Sequence, residues 1–565
     1  MFRRLPVLVR CVVAVGAIAA AVLAGPAAAA AAAQPSAGVG LPLVPVYASA
    51  TVPPGFTSSA DQAIRAAEAN PTMQALHRRQ HPLWVQAYVW NARRWYIDFT
   101  YRGTIVAEVD VSPAGRVAAV WTGPLARAIY ARGHFAPLFS SPWVLVPFSL
   151  LFLVPFLDPR RRRVRVDALL VLSLLVSYVL FVHARLEAAV WLIYPPLIAL
   201  LRRMLLTGVR RPGTRLPALA EGLLSERALW IGLLALVAAR VVLSLAGHTV
   251  IDVGYASVIG ADRLTHGQSL YYAAAAHSDT YGPIVYLAYA PFELAFPWHG
   301  LWDSLPAAHA ATIAFDLVTI GGLVLLGRRL APDTAGRRLG VLLAWAWAAC
   351  PFTLLGVIMH TNDGLIAMLV VLSLLAFRSP AGRGALLGLS AAAKFAAAAL
   401  LPLYAAAHER SRQCMTACVA GFGVAVGASL LLVLPGGGLS RLYDDTIAYQ
   451  LHRTDVFSAF ALHPGLGAVK VALEVLAVAL AVGVALLPGR RSLPAICALA
   501  AAVTIALQLP STHWFYYYAV WFLPYLFVAV LAPGRAEPTS AAESPDAERP
   551  VRDAAAAPGR ALTRV

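Results

Sequence analysis

Residues 252–293, DVGYASVIGADRLTHGQSLYYAAAAHSDTYGPIVYLAYAPFE, form one long polar interruption directly after the apolar stretch Ala228–Ala246. Asp252, Asp262 and Asp279 supply carboxylates, His266 and His277 imidazoles, Tyr271, Tyr272 and Tyr281 phenols, Gln268 an amide and Arg263 a cation. A connection that merely joins two helices needs only a few residues. This set has the groups for gripping a sugar through its hydroxyls or for moving a proton. An amphipathic loop lying on a membrane surface is the other reading. Asp252, alone at the edge of an apolar span, has the setting of a proton acceptor; helix capping or pairing with Arg263 would also account for it. Further groups recur beside apolar segments: His360, Asn362 and Asp363; Lys394; Arg441 and Arg453; His513 and Tyr516 in STHWFYYYAVWFLP. Charged groups in or beside spans are costly and are usually retained for function.

The elements that must hold these groups are membrane helices. Of 565 residues, 59% are hydrophobic and 13% charged, about half the charged share of a soluble chain. The formal net charge is +17. Among the basic residues only Lys394 and Lys470 are lysines, and the arginines fall in short clusters between apolar spans, as a positive-inside topology requires. Nucleic-acid binding is therefore a poor reading of the charge. The expected fold class is an all-α polytopic membrane protein with a small exported α+β domain near the N-terminus. Residues 1–33 read as an export signal, with an uncleaved anchor as the alternative. Residues 34–140 read as the exported domain, beginning with a Pro/Gly/Ala-rich linker. A helix is expected over Ser59–Arg79, then strands over LWVQAYVW, RWYIDFTY, TIVAEVDV and RVAAVWTG, with a turn at Pro113-Ala114-Gly115. Residues 141–226 read as an accessory bundle: Trp143–Leu157, Ala168–Val182, and Val190–Leu201, the last short for a bilayer and carrying Pro195-Pro196, hence expected to be tilted or broken. Residues 227–533 form the core. Its expected spans are Ala228–Ala246, Ala307–Leu326, Leu342–Met359, Leu365–Phe377, Val419–Leu434, Ala468–Leu487, Ala495–Leu509 and Val520–Leu531. YGPIVYLAYAPFELAF is expected as an interfacial helix. Arginine clusters at both ends of Gly384–Ala407 call for a tight hairpin turning near Lys394. Residues 534–565 read as a disordered cytoplasmic tail. This threading puts 252–293, His360–Asp363, 437–465 and Ser511–Tyr518 on one, extracytoplasmic, face.

The lone Asp252 past the first core span, then GQSLY, then DTYGPIVYLAYAPFE, resembles the polyprenyl-phosphate-sugar-dependent glycosyltransferases of the GT-C superfamily. Within it the bacterial mannosyltransferase-like family eighty-seven, of the DUF2029 type, is the best fit, over roughly residues 227–533. The helix and small sheet before the core, closing on WTGPLARAIYARG, resemble a PepSY-type exported domain. The resemblance implies a GT-C-like helical core. It also implies a hexosyltransferase that moves a hexose, most readily mannose, from a polyprenyl-phosphate donor to a lipid or cell-envelope glycan acceptor in the cell membrane. It makes Asp252 the base that deprotonates the acceptor hydroxyl. It assigns Lys394, in GLSAAAKFAAAALLP, and Arg453, in AYQLHRTDVFS, to the donor phosphate, where cations meet developing negative charge; Arg263 is a third candidate. Lys394 also fits a lysine snorkelling to an interface. Sugar or acceptor binding falls to Gln268, Tyr272, Tyr281, His360, Asn362, Asp363, His513 and Tyr516, although Asn362-Asp363 also suits a helix cap and the aromatic run an interface belt.

Many superfamily members carry two adjacent acidic residues, whereas Val253 follows Asp252. Metal-independent chemistry with no cofactor is therefore expected. His266, His277 and Asp279 match no strong zinc spacing. The five cysteines form no C-x-x-C pair, and none falls between residues 34 and 140. GFGVAVG (421–427) lies inside an apolar span and reads as helix packing rather than a nucleotide loop. A transporter or flippase of lipid-linked sugars, or a non-catalytic envelope assembly protein, is the alternative function.

Overall fold

The computed structural model describes residues 44–46, 50–90, 94–132, 135–157, 162–209, 224–247, 250–271, 280–300, 305–407, 411–434, 438–448, 456–487 and 491–533. The signal at 1–33, the tail at 534–565, Tyr272, His277, Asp279 and Arg453 lie outside them.

The small domain is a five-stranded antiparallel meander in the order β1 (Val44–Val46), β2 (Trp84–Trp90), β3 (Arg94–Tyr101), β4 (Thr104–Val111) and β5 (Val117–Thr122). Alternation sends Trp95, Ile97 and Phe99 of β3, with Ala107, Val109 and Val111 of β4, onto one face. There they pack against Ala60, Ala63, Ala67 and Met73. The expected single helix is two, α1 (Ala60–Glu68) and α2 (Pro71–Arg79). The division is local: the Asn70 side chain accepts from Thr72 N at 3.0 Å and Pro71 opens a new first turn. Gly115, at φ +77°, makes the expected turn between β4 and β5. The other face of the sheet carries Tyr96, Asp98, Glu108 and Asp110, with Asp98 opposite Glu108 and Tyr96 opposite Asp110. Arg132, just beyond β5, covers it. This arginine pairs with Glu108, donates to Leu125 O and Ala126 O, and bridges through its backbone to His183.

The helical part runs α3 (Pro142–Leu153), α4 (Arg162–Val182), α5 (Leu186–Val209), α6 (Glu226–Ala246), α7 (Asp252–Thr265), α8 (Pro283–Ala295), α9 (Pro306–Leu330), α10 (Asp333–Ala349), α11 (Pro351–Ile358), α12 (Asp363–Leu375), α13 (Pro380–Ala393), α14 (Leu401–Ala405), α15 (Arg412–Leu430), α16 (Gly467–Leu486), α17 (Leu493–Gln508) and α18 (Leu523–Leu531). Six helices among the described residues are long and apolar enough to cross a bilayer, and α10 with α11 makes a seventh if the pair is one span. The molecule is a polytopic helical protein with a small α+β domain, as its composition and patterning indicated.

Several boundaries differ from expectation for identifiable reasons. The third pass is not short: α5 has 24 residues and continues through Pro195-Pro196 and past Arg203, whose guanidinium donates to Asp167 of α4 at 3.0 Å. A paired arginine can stay inside a helix end where an unpaired one would mark its limit. The expected span Leu342–Met359 is bent by 58° between α10 and α11, where Pro351 opens a new first turn. Much of the 252–293 stretch is helix rather than loop, in α7 and α8, and α8, at 13 residues, is too short to span alone.

At Lys394 the backbone becomes extended and the chain returns through a 3-10 turn, Phe395–Leu400, into α14. The C-terminal ends of α13 and α15 line the same cavity, so these helices run parallel and the segment between them must come back. Deep in the bundle Arg240 of α6 grips Asp316 of α9 through two bonds, at 2.8 and 2.7 Å. It also reaches Ala348 O and Thr353, while Trp347 Nε1 donates to Asp316 at 2.8 Å. This fixes the base of the core.

Candidate active site

A cavity of about 1300 Å³ opens where α7, α13, α15, α16 and the segment before α18 meet the small domain. Asp252 reaches it from the first position of α7. That helix is held close to the His360 turn by Gly254: a Cβ there would come within 2.6 Å of His360 O. Ile251 N donates to Met359 O at 3.4 Å. The Asp252 side chain has no hydrogen bond or ion pair among the described residues, in contrast to Asp316 and Asp363.

Lys394 enters from the end of α13. Its Nζ bonds Asp363 Oδ1 at 2.5 Å, and Trp521 Nε1 donates to the same oxygen at 2.7 Å. Three rings surround the ammonium: Trp521 at 5.2 Å, Tyr281 at 5.4 Å and Tyr518 at 5.8 Å from their centroids. Cation–π attraction and the buried carboxylate thus hold the charge at the cavity wall. Gly282 makes this possible. A Cβ at that position would sit 1.9 Å from Ala392 O, so only glycine lets the Tyr281 segment press against the end of α13, where Gly282 N donates to Ala393 O at 3.2 Å.

The aromatic segment before α18 is a 3-10 helix, Tyr516–Trp521. Its period of about three residues per turn puts Tyr518 and Trp521 on one side, stacked at 4.7 Å and facing Lys394. Gln508 braces it, donating to Tyr518 O at 2.9 Å and accepting from Trp514 Nε1 at 3.1 Å. Phe422, Val426 and Leu430 of α15 and Ala477 and Val478 of α16 give the cavity an apolar stretch of wall, beside Ser429 and the ion pair of Lys470 with Glu474 at 2.7 Å.

Of the residues singled out from sequence, Asp252, Tyr281, Lys394 and His513 line this cavity together. His360, Asn362 and Asp363 do not. All three are fully buried, in a turn where His360 takes a φ of +54°. His360 stacks on His309 at 3.7 Å and contacts Ser244, while Asn362 donates to Ser257 Oγ at 3.1 Å. They support α7 and Lys394 from behind. Tyr516 points into the bundle, bonded to Ser177 at 2.8 Å. Arg263 and Gln268 lie further along and after α7, away from the cavity walls. Asp262 pairs instead with His266 at 3.2 Å. No group of three His, Cys, Asp or Glu side chains among the described residues could hold a metal ion. The sequence marks the aromatic run as a whole; only the 3-10 register separates Tyr517, Tyr518 and Trp521, which line the cavity, from Tyr516. Tyr88, Asp98 and Arg127, from the small domain, gave no signal in sequence at all.

A carboxyl with no hydrogen bond or ion pair among the described residues, a caged cation and a largely apolar stretch of wall thus border one space. Residues 280–512 match the model of glycosyltransferase family 87. The match supports a membrane glycosyltransferase of the GT-C type, with a sugar donor and an acceptor as substrates and membrane lipids around it. It takes in Tyr281, Asp363 and Lys394 and stops one residue before His513; Asp252 and the small domain lie outside it. No curated protein matches the chain.

Proposed function

We propose that the chain is an inverting glycosyltransferase that takes a hexose, with mannose the first choice, from a polyprenyl phosphate. The acceptor is a hydroxyl of a lipid or cell-envelope glycan on the extracytoplasmic face. One observation carries the reading: a single cavity joins the Asp252 carboxyl, which has no hydrogen bond or ion pair among the described residues, the Lys394 ammonium and a largely apolar stretch of wall. In the reaction the acceptor oxygen attacks the anomeric carbon as the bond from that carbon to the phosphate oxygen breaks. Asp252 takes the acceptor's proton, and Lys394 meets the charge growing on the departing polyprenyl phosphate. The prenyl chain lies against Phe422, Val426 and Leu430. Tyr281 and His513 contact sugar, and Arg453 is a second cation for the phosphate on sequence grounds alone.

Sidedness follows from charge. The helix ends that carry Asp252, Asp363 and Lys394 surround the cavity, whereas Arg328, Arg329, Arg337, Arg338 and Arg378 sit at the opposite ends. The positive-inside rule then turns the cavity outward. Because Asp252 has no adjacent acidic partner, the transfer is proposed to need no metal. The test is incubation of membranes containing the full chain with radiolabelled polyprenyl-phosphate mannose. Transfer to an acceptor, with an anomeric configuration opposite to the donor's and undiminished by EDTA, is the expected result. Absence of transfer would hand the reading to a transporter of lipid-linked sugars.

A further inference from the structure

The cavity does not end at the membrane helices. Tyr88, Asp98, Arg127 and Tyr130, from the small domain and its exit segment, line it together with Asp252 and Lys394. In a free-standing domain the second face of the sheet would meet water; here Asp98, Glu108 and Asp110 are only 7%, 5% and 6% exposed. Two of the three carboxylates pair with an arginine. Arg132 pairs with Glu108, and Arg94 reaches Asp110 at 3.4 Å. Asp98 Oδ1, on the cavity wall, is buried without a hydrogen-bond partner among the described residues. A buried polar atom left in that state in a native fold calls for a ligand or a water. Burial, with Glu108 beside it, pushes Asp98 up to about 8. Asp98 and Glu108 share a hydrogen bond, which leaves Asp98 Oδ1 to accept from a hydroxyl in the cavity.

The cavity lining differs from side to side. On α15 and α16 it is mostly apolar, with Ser429 and the Lys470–Glu474 ion pair among the aliphatic and aromatic side chains, while the sheet offers a phenol, a carboxyl and a guanidinium. The exit segment is locked in place by Tyr130 and Phe135, which pack on Phe515 at 6.3 and 5.2 Å. The polar wall is thus a fixed part of the cavity.

We propose that Tyr88, Asp98 and Arg127 form an acceptor subsite that binds hydroxyls of a carbohydrate acceptor beyond the sugar that reacts, so that the small domain sets acceptor length. This rests on the glycosyl-transfer reading. It predicts a preference by the full chain in liposomes, with radiolabelled polyprenyl-phosphate mannose as donor, for an octyl mannotrioside over octyl mannoside. Tyr88→Phe and Arg127→Gln, both at partly exposed positions, remove hydrogen bonds at little cost to folding, which an unchanged thermal unfolding temperature confirms. Each variant should raise the KM for the trisaccharide about tenfold, leaving the KM for the donor and for octyl mannoside within twofold. Native transfer with equal trisaccharide KM in all three proteins would overturn the subsite and leave glycosyl transfer standing. No transfer by the native chain to either acceptor would overturn the transfer reading and the subsite with it.

Discussion

Lys394 has the setting of a charge meant to be used. It is anchored by Asp363, ringed by Tyr281, Tyr518 and Trp521, and only 13% of its side chain remains exposed. Lys394→Met should weaken donor binding and turnover together, each by at least about tenfold, because a cation pairs with the phosphate before as well as during departure. Donor titration with a non-transferable polyprenyl phosphate, beside steady-state turnover, checks this. A fall in turnover with unchanged binding would confine the lysine to the transition state. The lysine itself was legible in sequence as a charge inside an apolar segment. Its partners were only half so: Asp363 was visible as polar, but its full burial behind Lys394 depends on the left-handed turn at His360. Nothing local announces that turn. Gly282 illustrates the same limit, since its backbone contact with Ala392 exists only once α13 is in place.

At the scale of elements, the bundle depends on a buried pair between two helices. Arg240 is 1% exposed and its partner Asp316 lies 76 residues away in the chain. Asp316→Ala should cost about 3–5 kcal/mol by leaving the guanidinium uncompensated, whereas Arg240→Met with Asp316→Leu should recover most of it. Thermal unfolding in detergent reads both. Apolar spans were readable as hydrophobic runs because burial and lipid ask for the same residues. Partners across such runs were not, because a run carries no record of its neighbour. The strands of the small domain were readable for a related reason: alternation reports two faces. It could not say that the polar face would be buried.

That burial gives the sheet a pH dependence. Asp98 faces Glu108, itself pushed up by burial, with Asp110, Arg132, Arg94, Tyr88 and Tyr96 around it. Its folded value of about 8 lies above the usual 3.8, so the folded state keeps a proton that the unfolded chain releases. Stability of the domain should therefore fall as pH rises from about 4 to about 8. Asp98→Asn should flatten that slope. Hydrogen exchange of the β3 and β4 amides in the full chain, corrected for its intrinsic pH dependence, measures both.

For the whole molecule, the small domain lines the same cavity as the membrane helices, so on the proposed topology both face the extracytoplasmic side. A cysteine at Ala114, on the exposed β4–β5 turn, should react with an impermeant thiol reagent in intact cells. Labelling only after lysis would reverse the orientation. The small domain and the helical part were separable by composition shifts, which sequence displays. The joining of the small domain and the core around one space was not legible there, because it depends on Tyr130 and Phe135 meeting Phe515, several hundred positions away.

The central claim is that Asp252 accepts the acceptor's proton. Asp252→Asn keeps shape and hydrogen bonding and removes that capacity, and Asp262→Asn, on the same helix but paired with His266, is the control. Transfer from polyprenyl-phosphate mannose should fall about 10²–10⁴-fold in the first variant, with donor binding intact, and stay near native in the second. Near-native transfer by Asp252→Asn, with loss in Asp262→Asn, would contradict the assignment.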